Sequence, residues 1–344
     1  MANVGRYEEA IREFDEAIRL DPDNPAYHNG KGVALAKLGR YDEALREYDE
    51  AIRLDRKDPR AHYNKGNALY QLGRYDEAVR EFDEAIRFNS RDPFNPRDPR
   101  FHIGKGMALV NLGRYEEALR ECDEALRVSP NEPDFHVVRG VVLAYLGRYD
   151  EAIGEYDRAI GLNPDNPLYH FNKGVALYHL RRYGEAVEEI ERAIGLNPNE
   201  AAYHYVKGDS LYRLGRYDEA LRELEEAVRL NPGEPELHVA RGEALARLGR
   251  LDEAVRELDE ATRLTPGGPG YVGELERAVS ASPGEPRYRV LKALALVSLG
   301  RCDAAAKELS AAAELDPGNP LYPAYLSRVR ATCGKAQGGP APAP

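Results

Sequence analysis

The string LGRYDEA at residues 38–44 decides the fold, because it recurs along the chain at a fixed step. Identical or close copies begin at residues 72, 112, 146, 180, 214 and 248. The step is 34 residues, except that the copies at 72 and 112 are 40 residues apart. The six extra residues, 93–98, lie inside the near-duplicated string RDPFNPRDP. A fixed period of this length indicates a stacked array of repeats, and the insertion is predicted to be a loop between two of them.

Local signals predict that each repeat is a pair of helices. In the repeat 25–58, Asn24 is a good N-cap, and Pro25 suits the first helical position, where its missing N–H costs nothing. Gly39 can take the left-handed conformation that ends a helix, so the first helix is predicted to stop near Leu38. The apolar residues of the second helix recur at three- and four-residue spacing, as Ala44, Leu45, Tyr48, Ala51 and Ile52.

Certain residue types return at the same place of most repeats. Counting from Pro25, Gly recurs at the eighth place, Ala at the twentieth and twenty-seventh, an aromatic residue at the twenty-fourth and Pro at the thirty-second. This pattern resembles the tetratricopeptide repeat, and it covers almost the whole chain. The resemblance implies an all-α fold, a right-handed superhelical solenoid of 34-residue helix-turn-helix repeats.

The repeat pattern also divides the chain into parts of different completeness. Each end holds half a repeat, and the region before the last full repeat has room for only one helix, so the packing direction is predicted to change there. The predicted parts are an N-terminal half repeat (1–24), seven tetratricopeptide repeats (25–268, with the insertion 93–98), a C-terminal helical subdomain (269–334) containing a half repeat, one full repeat (286–319) and a terminal helix (320–334), and a disordered tail (335–344).

Composition and motifs argue against several functions. The 344-residue chain has 48 Lys and Arg against 59 Asp and Glu, a net charge of -11, whereas nucleic-acid binding needs a basic surplus. No stretch of about 18 apolar residues occurs, and the start MANVGRYEEA has no apolar run behind a basic segment, so we expect no membrane association and a cytoplasmic location. The sequence has no nucleophile elbow, no Gly-rich phosphate loop after a strand and no HExxH motif. We therefore predict no enzymatic activity, no cofactor and no metal site.

Histidine occupies the fourth place of seven successive repeats, where the family pattern usually has tryptophan. These residues are His28, His62, His102, His136, His170, His204 and His238. Equivalent places in neighbouring repeats lie roughly 10 Å apart, about one helix diameter, so they cannot share a metal ion. We expect the rings to pack between helices. Each lies in the first turn of a helix, three residues before a Lys or Arg, so we also expect depressed pKa values. The basic residues are expected to be solvated or paired with carboxylates.

The resemblance also implies a binding surface. In the family, places two, five, six, nine, twelve and thirteen of the first helices line a concave surface, and we call these places the groove face. In this chain the groove face is rich in aromatic and aliphatic residues, which is typical of partner-binding surfaces. The open alternative is that superhelical curvature buries them. The candidate partner-binding residues are Tyr63, Asn64, Asn67, Tyr70, Ile103, Met107, Val110, Val137, Val141, Tyr145, Phe171, Asn172, Val175, Tyr178, Tyr205, Asp209, Tyr212 and Arg213.

The sequence thus predicts a non-enzymatic protein–protein interaction scaffold. It would hold a peptide or helix of another protein in an aromatic groove centred on residues 99–234. The alternative is a self-assembling structural protein, a homo-oligomer joined head-to-tail through the complementary half repeats at its two ends. A third class, RNA-reading helical repeats, is disfavoured by the acidic charge.

Overall fold

The computed structural model describes residues 2–89, 98–265 and 269–337, with side chains over 5–89, 98–265 and 270–331. Within these ranges the regular elements are all α-helices, and the chain divides into two compact units. The first unit, Met1–Asp165, contains α1 (Ala2–Leu20), α2 (Pro25–Lys37), α3 (Tyr41–Leu54), α4 (Pro59–Gln71), α5 (Tyr75–Asn89), α6 (Pro99–Asn111), α7 (Tyr115–Val128), α8 (Pro133–Tyr145) and α9 (Tyr149–Leu162). The second unit, Asn166–Pro344, contains α10 (Pro167–His179), α11 (Tyr183–Leu196), α12 (Ala201–Arg213), α13 (Tyr217–Leu230), α14 (Pro235–Arg247), α15 (Leu251–Leu264), α16 (Pro269–Ala281), α17 (Pro286–Ser298), α18 (Cys302–Leu315) and α19 (Leu321–Gln337).

The helices begin and end at the predicted signals. The Asn24 side chain accepts a hydrogen bond from the Ala26 N–H at 3.1 Å, and Asp58 caps α4 in the same way at 3.0 Å. At the other end of α2, Gly39 has a φ of +76°, which lets the chain turn directly into α3. Arg181 takes the corresponding place between α10 and α11 with a φ of +60°. Among the described residues it is the only one other than glycine with a positive φ.

Small residues let the two helices of a repeat approach closely, as the sequence predicts. Ala44 and Ala51 of α3 are fully buried. A Cβ atom on Gly32 of α2 would lie 2.6 Å from Cε1 of Tyr48 on α3, closer than side chains tolerate. The half repeat α1 packs on α2 with Ile11 buried. Each unit is therefore a stretch of helical solenoid built from stacked helix pairs.

The C-terminal helices of the second unit interrupt this regular stacking. α16 packs on α17, and Lys292 of α17 lies 3.4 Å from Glu276 of α16 and 2.9 Å from Glu308 of α18. α19 reaches back to α14 and α15, helices of a repeat that is not its neighbour along the chain. Buried side chains of α14, α15, α17, α18 and α19 form one shared core, which includes Leu245 and Leu294.

Two predicted boundaries lie at the end of α19 and at the insertion 93–98. α19 continues to Gln337, beyond the predicted terminal helix 320–334, because the residues that follow are good helix formers. Residues 93–97 of the insertion and residues 338–344 of the tail lie outside the described residues.

Candidate partner-binding face

In seven repeats, a basic residue of the first helix forms an ion pair with a glutamate of the second helix. We call this pair, together with the histidine of the same repeat, the frame. In the repeat 25–58, Nζ of Lys31 lies 2.6 Å from the Glu47 carboxylate and 2.8 Å from Asp15 of the preceding helix. The same pairing of basic and acidic places recurs in six further repeats, through Glu81, Glu121, Glu155, Glu189, Glu223 and Glu257. The basic column, expected to be either solvated or paired with carboxylates, is paired in these seven repeats.

The histidine column belongs to the same frame. In all seven repeats the Nδ1 atom lies 2.6 to 2.9 Å from the frame glutamate. In several of them, including His28, His62, His136 and His204, Nε2 also lies within hydrogen-bond distance of a backbone carbonyl oxygen, as with His238 and Pro232 at 3.0 Å. At His238 both partners, the Glu257 carboxylate and the Pro232 carbonyl oxygen, are acceptors, so a ring that donates to both carries a proton on each nitrogen.

The expected depression of histidine pKa values is wrong at His238. The hydrogen bond that His238 donates to the Glu257 carboxylate raises the pKa of His238 above its ordinary value, although burial opposes the rise. The prediction considered only the helix that carries the ring. It did not include a carboxylate 19 residues away on the next helix.

The groove face of the first unit begins with amide and tyrosine side chains on α4. Asn64 donates a hydrogen bond to Asn29 of α2 at 3.0 Å, and Asn67 is half-buried beside it on the same face. Tyr63 packs against Phe101 with ring centroids 4.9 Å apart. Tyr70 accepts a hydrogen bond from Asn111 of α6 at 3.1 Å. These contacts order the first helices side by side and leave their outer surface accessible.

The face becomes apolar on α6 and α8. Met107 is 39% exposed, and Tyr145 is 59% exposed while its ring stacks on Tyr115 with centroids 5.2 Å apart. Ile103, Val110, Val137 and Val141 are half-buried between them. No helix of the first unit covers these side chains within the described residues. The structure thus brings the ten first-unit candidates, four on α4, three on α6 and three on α8, onto one accessible surface.

The groove face of the second unit begins on α10. Phe171 packs against Tyr203 with centroids 4.8 Å apart, and Asn172 is half-buried. Tyr178 donates a hydrogen bond to Asp209 of α12. A cavity of about 350 Å³ separates this surface from the turn between α16 and α17, and Val175 lines it.

The remaining four candidates are held by other parts of the chain. Asp209 is 4% exposed and accepts a hydrogen bond from Arg287 of α17 at 2.8 Å. Tyr205 accepts another hydrogen bond from Arg287 at 2.9 Å. Arg213 pairs with Glu285 at 2.7 Å, and Tyr212 accepts a hydrogen bond from Arg247 at 3.0 Å. In the second unit these positions are therefore covered by the C-terminal helices, and they do not form the open groove that the sequence predicts.

Sequence reasoning missed the groups that cover this face. They are Glu243 on α14, Glu285 and Arg287 at the start of α17, Asp316 after α18 and Tyr322 on α19. The available signal was a pair of acidic residues at the ninth place of consecutive first helices, Asp209 and Glu243, where the first unit has neutral residues. Buried carboxylates require a cation nearby. Arg287 is a basic residue at the start of the last full repeat, just after the region that has room for only one helix.

In the part of the chain that the structure describes, no three His, Cys, Asp or Glu side chains come together as a possible metal-ligand set. Over the same residues, no helix combines the length and hydrophobicity that crossing a bilayer requires.

Stacked helix pairs with one accessible face define a helical-repeat protein of the kind that serves as a protein–protein interaction scaffold. The sequence profile of the tetratricopeptide repeat family matches residues 2–59, 34–96, 63–133, 103–167, 137–201, 205–269 and 272–320. The chain belongs to the tetratricopeptide repeat family. A profile of anaphase-promoting complex subunit 5 also matches residues 170–233. The comparison with curated proteins found no match.

Solved structures share the fold at low sequence identity. A tetratricopeptide repeat protein of Parabacteroides merdae is 16% identical with a TM-score of 0.53, covering 79% of this chain and 99% of its own. The C-terminal part of a repeat protein of Cytophaga hutchinsonii is 16% identical with a TM-score of 0.54, covering 70% and 97%. YrrB, described as a tetratricopeptide repeat protein with an unusual peptide-binding site, is 24% identical with a TM-score of 0.46, covering 56% and 97%. The first two likenesses concern the fold alone.

Proposed function

We propose that this protein is a non-enzymatic scaffold that binds an apolar helix or peptide of another protein on the groove face of its first unit. The observation that supports it is the accessible surface on α4, α6 and α8, where Met107 and Tyr145 are exposed. Isolated exposed apolar residues are ordinary, but a contiguous stripe of them is typical of a partner site. The cytoplasmic location remains part of this proposal.

The second unit supports a helix as the occupant. There, the same places of α12 and α14 are buried under helices of the chain itself, with Val239 of α14 and Val290 of α17 in one core. Repeats of the same design thus bury their groove face against helices when such helices are at hand. The groove face of the first unit has no such cover within the described residues, so we assign its occupant to another protein.

The test compares one groove-face residue with an equally apolar residue elsewhere in the first unit. A photo-crosslinking amino acid at position 107 should form an adduct with one partner segment, and the same amino acid at Leu20 on α1, which is 71% exposed, should not. With that partner purified, Met107→Lys should raise the Kd at least tenfold, because a buried anchor contributes about 2 kcal/mol or more. Leu20→Lys should change the Kd less than twofold. Equal adducts at both positions, or an unchanged Kd for Met107→Lys, would reject the proposal.

The head-to-tail alternative has less support than the groove. It needs an open apolar side on the terminal helix, yet Tyr325 of α19 is buried against α15 and hydrogen-bonds Thr262, and Arg328 pairs with Asp259. We expect light scattering after size exclusion to give one monomer mass for the full chain over a hundredfold range of concentration. A mass that rises with concentration would return the alternative to first place.

A further inference from the structure

The Arg287 side chain is buried on the groove face of the second unit, where it has several hydrogen-bond acceptors. Its side chain is 5% exposed, and its guanidinium donates to Asp209 at 2.8 Å, to Tyr205 at 2.9 Å and to Glu243 at 3.0 Å. The acceptors come from two successive first helices, α12 and α14, while the arginine comes from α17. Three acceptors on two helices therefore surround one guanidinium. A planar group with five N–H donors can bond to all three at once.

The acceptors are themselves held in position by tyrosine hydroxyls. Tyr178 of α10 donates to Asp209, and Tyr322 of α19 donates to Glu243 at 2.7 Å. Burial raises the pKa of Asp209, but Arg287 and Arg213 outweigh it, so this pKa lies below its ordinary value. Burial also raises the pKa of Glu243, and there Arg287 compensates only in part. The two buried carboxylates thus share one central guanidinium. If Arg287 moved away, Glu243 would be left without a cation, whereas Asp209 would keep only Arg213 at 3.7 Å.

The edges of this contact are weaker than its centre. The rim is held by the ion pairs of Arg213 with Glu285 and of Arg247 with Asp316, both at 2.7 Å and both partly exposed, so salt screens them. The cavity of about 350 Å³ lies beside Arg213, whose Nε atom is buried without a hydrogen-bond partner among the described residues. The cover is therefore incompletely packed next to its anchoring residue.

We propose that the groove face of the second unit is a binding site for an arginine-bearing helix and that α17, led by Arg287, is its resident ligand. A partner helix that presents an arginine in the same setting competes with α17 for Asp209, Glu243 and Tyr205. The chain thereby keeps this face closed until such a partner is present. The inference concerns the second unit only and is independent of what the first unit binds.

The test uses the full chain with Arg287→Ala and, as a matched control, Arg301→Ala, which removes an exposed arginine of the same repeat. In Arg287→Ala, hydrogen–deuterium exchange should be at least tenfold faster in α17, with α4 to α8 as the unchanged internal reference. A labelled peptide of residues 283–300 should bind Arg287→Ala at least tenfold more tightly than it binds the wild-type chain or Arg301→Ala. The same peptide with alanine in place of its arginine at 287 should bind at least tenfold more weakly.

Three results would overturn the proposal. They are unchanged exchange of α17 in Arg287→Ala, equal binding of the two peptides, and equal binding of the arginine peptide to the variant and wild-type chains. If Arg287→Ala does not fold, Arg287→Lys replaces it, because an ammonium keeps the charge but cannot reach three acceptors in one plane. In Arg287→Lys, amide exchange in α17 should be faster than in the wild-type chain. This variant should bind the arginine peptide more tightly than the wild-type chain does, and more tightly than it binds the alanine peptide. A lysine variant identical to wild type in both measurements would show that the site does not require a guanidinium.

Discussion

The two units share one frame and differ in the surface that the frame carries. In both, a histidine, a basic residue and a glutamate link the helices of a repeat, as in Lys65 with Glu81 and Lys207 with Glu223. At the ninth place of the first helices, the first unit has Asn67, Met107 and Val141, whereas α12 and α14 have Asp209 and Glu243. The neutral face is accessible, and the acidic one is covered by α17 and α19. The comparison teaches that the groove face can be changed without changing the fold.

Charge explains the difference better than shape. Neutral side chains on an accessible face cost little, but two buried carboxylates are tolerated only beside a cation and hydrogen-bond donors. Arg287, Tyr178 and Tyr322 supply these groups in the second unit. The first unit has no need of such a cover.

The largest expected effect comes from substitutions at the ninth place of the first helices, where the two units differ in charge. Asp209→Ala should destabilise the second unit by about 3–5 kcal/mol, because it removes one of the two carboxylates that neutralise the buried Arg287. Asn67→Ala, the same place in the first unit, should change stability by about 0.5 kcal/mol or less. Urea unfolding followed by circular dichroism measures both, and hydrogen exchange assigns the loss to the second unit. Equal effects of the two substitutions would mean that the groove faces do not differ in the way described.

The next effect concerns the frame and has a definite sign with pH. Because Glu257 raises the pKa of His238, the folded protein binds this proton more tightly than the unfolded chain. The resulting stability is fully present below the unfolded value, about 6.5, and is lost as pH rises through the folded pKa. Arg241, 2.5 Å from the same carboxylate, opposes the rise, and Glu260 lies near enough to support it.

His238→Gln should therefore cost more stability at pH 6 than at pH 8.5. An NMR titration of the His238 ring gives a second check, since its midpoint should lie above the ordinary histidine value and fall in Glu257→Gln. A midpoint that Glu257→Gln leaves unchanged would remove the glutamate as the cause. The common titration of surface carboxylates cancels, because wild type and variant are compared at each pH.

The sequence predicts the helix pairs well because the signals that begin and end each helix are local. Asn24, Pro25 and Gly39 fix the ends of one helix within a few residues, and a fixed period transfers the result to every repeat. The accessible face of the first unit follows from the same periodicity. Asp209 and Arg287, in contrast, are 78 residues apart, and their contact depends on how the chain folds back after α15. Reading each repeat alone therefore places Tyr205, Asp209, Tyr212 and Arg213 on an open surface.

The smallest effect concerns the turn between the two helices of a repeat, and it tests whether this turn follows the same rule in both units. Arg181 holds a left-handed conformation that costs a residue other than glycine roughly 1–2 kcal/mol, while glycine gives part of this back through the entropy of the unfolded chain. Arg181→Gly should therefore stabilise the second unit by about 0.5–1 kcal/mol. The reverse change at the same turn of the first unit, Gly147→Arg, should destabilise it by a similar amount, because Gly147 has a φ of +73°. Opposite and equal shifts in urea unfolding would show that turns obey one rule in both units, so that only the groove face distinguishes them. A loss of stability in Arg181→Gly would instead mean that the Arg181 side chain contributes to the second unit more than its backbone costs.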